Sequence, residues 1–237
     1  MPAYTLPTGK NRVLTGAQGH SPTLGRTTDV YVALLPEGSR TAPVQQMLTI
    51  APGGGDGATI TVTETIAANI QAGQYLLFTD TDTGEEFLAK VAQNVNEGSA
   101  ITIANAVGGD GIPDGAVASF PAYMWDRSAA DVDRSYNRST FRTFNTGGDE
   151  DGVITGANRN FTAPGIYYGK NDGYFTALFA AENGREVWLQ RKTGDSLIEG
   201  PAVVTAAPSA SPVDGNVSAD LTFAFQGKPF ETFSIAG

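Results

Sequence analysis

Asn183–Phe233 reads NGREVWLQRKTGDSLIEGPAVVTAAPSASPVDGNVSADLTFAFQGKPFETF, and its second half decides the fold. Val217, Ala219, Leu221, Phe223 and Phe225 fall on every second position, with Ser218, Asp220, Thr222, Ala224 and Gln226 between them. A strand sends successive side chains to opposite faces, so this spacing predicts a strand with one buried and one wetter face. Pro212-Val213-Asp214-Gly215 precedes it, and Asp and Gly accept the positive φ of a tight reversal. Upstream, Ala202–Ala207 reads as a small-residue strand. Arg185–Thr193 reads as another, with Val187 and Leu189 on one face. Three successive antiparallel strands are expected.

Outward from this stretch the same character persists. Gly 29 and Pro 13 punctuate short runs rich in Val, Ile, Thr, Phe and Tyr, the mark of an all-β chain. The 237 residues suit one or two domains, and 41% hydrophobic content supports a sizeable core. No apolar run is long enough to cross a bilayer, so no membrane insertion is expected. The opening MPAYTLPTGKNR lacks the apolar core of a signal peptide. With no cysteine there is neither a disulfide framework nor thiolate chemistry.

Val30–Leu35 is the first clear strand, ended by Pro36-Glu37-Gly38, and Val44–Ile50 is a weaker second. Residues 1–27 read as an extended arm rich in Thr, Gly and Pro, of the kind that orders when a neighbour holds it. Residues 58–78 and 99–120 then match at Ile60/Ile101, Val62/Ile103, Ile66/Val107, Ile70/Ile112, Gly73/Gly115 and Phe78/Phe120. Glu86–Val91 is the hairpin partner between them. This reads either as a duplication or as two hairpins alike by composition. On both readings 57–122 is an inserted, small β-barrel-like module. Residues 43–122 hold nine acidic residues against the single Lys90, a net of −8 within a chain total of −10. Such one-sidedness argues against nucleic-acid affinity, which needs a basic footprint.

Asp126–Phe144 gathers Arg127, Arg134, Arg138 and Arg142 among Asp126, Asp131 and Asp133. This suits a salt-bridged exposed strand pair. It equally suits a polar subunit interface whose guanidinium forks pair carboxylates. Residues 145–158 read as an acidic Gly-rich loop and Asn160–Tyr168 as a strand. Asn171-Asp172 opens the one helix, with Asp172 as candidate N-cap and Asn183-Gly184 as its stop. Tyr174, Phe175, Leu178 and Phe179 share a face at helical spacing and are expected to pack on the sheet.

Catalytic constellations are absent. His20 is the sole histidine and lies in the arm, which leaves no Ser-His-Asp triad and no His/Cys zinc site. PGGGDGAT (52–59) lacks the Lys-Ser/Thr of a phosphate loop. Asp80–Glu86 is dense in carboxylates, but its Gly falls one position early for an EF-hand. A hairpin turn is the better reading, with weak calcium binding as the alternative. No cofactor, metal or catalytic residue is assigned, and no enzymatic activity is expected.

The order of elements and the C-terminal wording together resemble the major tail (tail tube) proteins of tailed bacteriophages. The residues that carry this are Val203-Val204-Thr205, Pro212–Val217 and Leu221–Gly227, with weaker support from Asp131-Val132-Asp133, Thr140 and 145–157. The likeness spans roughly residues 28–50 and 123–233. It implies a tail-tube β-sandwich or half-barrel, from 28–56 and 123–237, that forms stacked hexameric rings. The tape measure protein and then the genome pass through, with DNA not specifically bound. Tail terminator and baseplate or tip proteins would be further partners, with a sheath protein as an optional one, in a virion assembled from protein made in the host bacterial cytoplasm. The arm 1–27 and the loop 145–157 would lock neighbouring rings. On this reading Tyr4, Leu6, Leu14, Val153 and Ile154 join the four arginines at subunit contacts, and module 57–122 lies outside. The alternative is a carbohydrate- or receptor-binding β-module using Tyr123, Trp125 or Trp188.

Overall fold

The computed structural model of the chain describes residues 28–104, 111–125, 127, 129–141, 151–193, 196–210 and 217–233. In chain order the elements are β1 (Thr28–Leu34), β2 (Gln46–Thr49), β3 (Thr59–Thr61), β4 (Tyr75–Thr79), β5 (Glu86–Lys90), β6 (Ala100–Thr102), β7 (Val117–Phe120), β8 (Ala122–Tyr123), β9 (Asp131–Phe141) and β10 (Asp151–Ala163). The helix α1 (Asp172–Glu182) follows. It leads to β11 (Glu186–Thr193), β12 (Ser196–Ala206), β13 (Ser209–Ala210), β14 (Ser218–Ala219), β15 (Leu221–Phe225) and β16 (Phe230–Phe233). The chain is all-β with one short helix.

The largest sheet runs β8-β1-β11-β12-β15-β10-β9, with β16 also on β12. The three strands expected near the C-terminus are there as adjacent antiparallel neighbours, β11, β12 and β15. Ala219, Leu221, Phe223 and Phe225 are buried while Ser218, Asp220, Thr222 and Ala224 are only half-buried, as alternation requires. Strand β12 starts at Ser196, ahead of the expected Ala202, and carries Gly200 and Pro201 in its middle. The proline is tolerated because two different strands share that edge. Ser196–Glu199 pairs with β16 and Ala202–Ala206 with β15. The Pro201 carbonyl accepts from the Gln226 amide at 2.7 Å, so its donor-less nitrogen faces the same edge, where the 226–229 link leaves no ladder acceptor.

Two further expectations shift. Strand β10 begins at Asp151, so residues 151–158 are strand and not loop, and it ends at Ala163, short of Tyr168. Gly152 and Gly156 gave this stretch a loop-like composition. Continuous pairing with β9 overrides that, with a register shift between Ile154 and Gly156 taking up the irregularity.

Helix α1 lies against the large sheet. Asn171, not Asp172, is the N-cap: its Oδ1 accepts from the Tyr174 amide at 2.9 Å, and its Nδ2 donates to the Trp125 carbonyl at 2.9 Å. Gly184, at φ 61°, supplies the left-handed stop. Tyr174, Ala177 and Ala180 are buried in a cluster with Val30, Val32, Val187, Leu189, Phe161 and Phe223. Phe175, Leu178 and Phe179 are half-buried against it. Each large apolar side chain removed from water here contributes about 1.5–3 kcal/mol.

A second core belongs to a four-stranded sheet, β2-β7-β4-β5, and the β3-β6 ribbon. Neither this sheet nor the large one closes on itself, so the module is an open sheet with a ribbon and not a small barrel. Strand β2 belongs to it, since Leu48 and Ile50 sit in the second core, whereas the sequence division at residue 57 leaves β2 with the large sheet. The repeat is visible in the bonding. Ile60 and Ile101 stand directly opposite one another. The bonds Ala51 N to Thr61 O and Val62 N to Ser99 O recur as Ala92 N to Thr102 O and Ile103 N to Ala58 O. Each copy supplies an edge strand to the other's central strand, β2 on β7 and β5 on β4, so the two copies are intertwined.

Two carboxylates hold turns in this module. Burial works to raise the Glu64 pKa, but its bonds from Thr49, including the amide at 2.8 Å, outweigh that and keep it below its ordinary value. The Thr83 hydroxyl and the Asp82 amide, at 2.9 Å, hold Asp80 down likewise. A depressed folded pKa contributes stability above the unfolded value that disappears as pH falls through the folded one. Tm should therefore drop below about pH 4.5 for Glu64 and pH 3.8 for Asp80. The double variant Glu64→Gln, Asp80→Asn should have a flatter Tm–pH profile there. Parallel profiles for the variant and the parent would refute the assignment.

Candidate assembly surface

The large sheet ends on β9, and β10 beside it is only partly supported. Strand β10 pairs with β9 along its length but with β15 only from Asn160 to Ala163. Residues 151–159 and their β9 partners therefore leave the sheet as a two-stranded ribbon about 30 Å long. Phe161, opposite Val132, is the last buried residue of β10 before the ribbon departs. From there the side chains turn outward: Asp133, Arg134, Ser135 and Tyr136 are exposed, as are Ala157 and Asn158. The outer edge of β9 has no strand partner among the described residues. Its backbone donors and acceptors are the groups a further strand could take up.

A salt bridge links the ribbon's base to β16. Arg134 Nη2 lies 2.8 Å from Glu231 Oε1 on β16. With both side chains partly in water, such a pair is worth about 0–1 kcal/mol, which orients the ribbon without clamping it.

The residues expected at subunit contacts divide three ways. Arg134, Arg138, Val153 and Ile154 all fall on the ribbon, with Arg138 opposite Ile154 and Ser139 opposite Val153. Arg127 does not. Its guanidinium donates to the carbonyls of Trp125 (3.1 Å), Ala163 (2.9 Å) and Ala219, and it lies 5.8 Å from the Tyr174 ring centre. It is an internal tie between the 125–127 segment, β10 and β14. Tyr4, Leu6, Leu14 and Arg142 lie outside the described residues, as does His20.

Sequence reading missed several exposed apolar side chains. Phe230 is 61% exposed on β16 and stacks on Trp188 at 6.2 Å. Tyr136 is 57% exposed on β9, and Ile166, Tyr167 and Val44 are also exposed. Only alternation within an assigned strand could have flagged Tyr136, and nothing in the sequence distinguishes Phe230 from a core residue. Trp188 is 1% exposed, its indole N–H donating to Glu199 at 3.2 Å, so it cannot be an open sugar platform.

No group of three His, Cys, Asp or Glu side chains among the described residues could hold a metal ion. A cleft between the sheets, lined by Leu34, Leu35, Pro43, Val44 and Ala67 among others, has no ionisable side chain in its wall. No helix of the described residues is long and apolar enough to cross a membrane.

No protein-family model matches the chain, and no curated protein matches it. Among solved structures it is similar to a chain in the tail of an empty GTA particle with C6 symmetry, at 15% identity and a TM-score of 0.40, covering 46% of this chain and 82% of that one. It is also similar to a chain in the virion of a native gene transfer agent particle, at 16% identity and a TM-score of 0.41, covering 47% of this chain and 86% of that one.

Proposed function

We propose that this chain is a structural subunit of a phage-type tail tube, self-assembling through its sheet edges into stacked hexameric rings. The observation that carries this is the outer edge of β9, which has no strand partner among the described residues, on a ribbon that extends beyond its own sheet. A ribbon whose residues 133–136, 157, 158 and 160 are exposed gains little there from its own chain. Strand addition from another copy would satisfy its edge, and the same contact repeated from copy to copy would close into a ring. The sequence likeness set out above gives the form of the assembly: a conduit for tape measure protein and DNA, acting through surfaces and not through chemistry. The arm 1–27 would lock successive rings.

Negative-stain electron microscopy of the purified full chain tests this across a concentration series. Rings with six-fold averages, or tubes built from them, are the expected result. A protein that stays monomeric at every concentration and binds glycans would overturn the reading in favour of a receptor-binding module.

A further inference from the structure

Strand β1 ends at Leu34, and the chain returns to the large sheet at Ala122, which stands opposite Val32. The module thus enters and leaves at neighbouring positions on one strand pair, an attachment that would let an inserted unit swing. The contacts across the junction oppose that motion. Gln74, at the start of β4, is fully buried. Its Oε1 accepts from the Leu34 amide at 2.9 Å, and its Nε2 donates to the Tyr75 carbonyl and to Thr176 Oγ1, both at 3.1 Å. The same Thr176 hydroxyl oxygen accepts from the Tyr75 amide at 3.0 Å. One side-chain amide therefore joins β1, the module and α1, in a dry site where every partner lost would leave a buried polar group unmatched.

Packing reinforces the hydrogen bonds. Gly73, at φ +92°, lets the Phe179 ring approach so closely that an added Cβ would lie 2.0 Å from it. Lys90 Nζ sits 4.6 Å from the centre of the same ring, and the Tyr75 and Phe175 rings are 5.5 Å apart. The duplication provides an internal control. Ile50 N to Ala116 O is the counterpart of Val91 N to Gln74 O, so Ala116 occupies the second copy's equivalent of Gln74. Lys90 is matched by Thr49 and Gly73 by Gly115, whose Cβ position meets nothing within 4 Å. The backbone pattern is common to both copies, but Gln74 and the close approach of the Phe179 ring to Gly73 have no counterpart at Ala116 and Gly115.

We propose that Gln74, Thr176 and Phe179 form a lock that fixes the module in one orientation against the large sheet. One copy of the duplication has specialised for it. The subunit is then a single rigid body, and whatever the module presents is held at a set angle to the sheet edges.

The chain has no cysteine, so two labels can be placed without background. Spin labels on Asp82→Cys, in an exposed module turn, and Ala206→Cys, at the exposed end of β12, report the inter-sheet distance. Dilution into unlabelled full chain removes distances between copies. The labelled parent should give one narrow distance peak. Adding Gln74→Ala with Phe179→Ala should broaden it about twofold or split it. Should that variant not fold, Thr176→Val, which removes one hydroxyl and keeps the shape, makes the same comparison. A broad distribution in the parent, or an unchanged width in the folded variant, would overturn the lock. Neither result depends on whether the protein forms tubes.

Discussion

Tyr136→Lys should abolish tube formation while leaving the subunit folded. Tyr136 is 57% exposed on β9, opposite the exposed Ala157 and away from the buried Phe161. Substitution at a site making so few contacts should change the unfolding free energy by no more than about 0.5 kcal/mol. Assembly is a different matter. A lysine on an unpaired edge strand is a recurrent device for blocking strand addition, because joining would desolvate its charge. If each subunit contact loses even about 1.4 kcal/mol, its association constant falls tenfold, and closing a ring multiplies the losses. Sedimentation velocity should show the variant as monomer at concentrations where the parent forms rings, with coincident urea transitions for the two. Tyr136→Phe, which keeps the ring, should assemble normally. Tubes from Tyr136→Lys at the parent's concentration would remove this edge from the mechanism.

What the sequence could reveal here depended on how local the deciding physics was. The alternation from Val217 to Phe225 is a property of consecutive residues, and the burial of Ala219, Leu221, Phe223 and Phe225 follows from it. The ends of α1 were nearly as legible, since Asn171 and Gly184 act within one turn. The choice of Asp172 over Asn171 failed because both residues suit a cap, and the contacts of Asn171 with Trp125 lie far away in sequence. Pro201 and Gly200 hid the first half of β12, because a proline is admissible only when the strand's other edge is known. The repeat was legible as matched residues. Its intertwining was not, since which copy pairs with which is decided by non-local hydrogen bonds. The candidate surface divides the same way: the arginine-rich stretch pointed to β9, but no local signal told which arginines turn inward.

Arg127 shows what that distinction costs, and Arg127→Ala should destabilise the chain by about 3 kcal/mol. Charged hydrogen bonds to carbonyls are roughly twice as strong as neutral ones, and this guanidinium makes them to Trp125, Ala163 and Ala219. Ala163 and Ala219 are fully buried, so water cannot readily replace the lost donor. Burial also raises the Tyr174 phenol above its ordinary value, and the nearby guanidinium partly opposes that rise. Removing the charge should therefore push the Tyr174 titration still higher. Arg127→Lys keeps the charge but not the planar fork that reaches three acceptors, and should fall between parent and alanine. Urea unfolding followed by fluorescence gives the ordering, and difference absorbance in the alkaline range follows the phenol. A surface arginine at a subunit contact predicts the reverse: unfolding of the isolated subunit unchanged to within about 0.5 kcal/mol, Tyr174 unmoved, and assembly weakened. The two readings thus separate on the monomer alone, before any tube is formed.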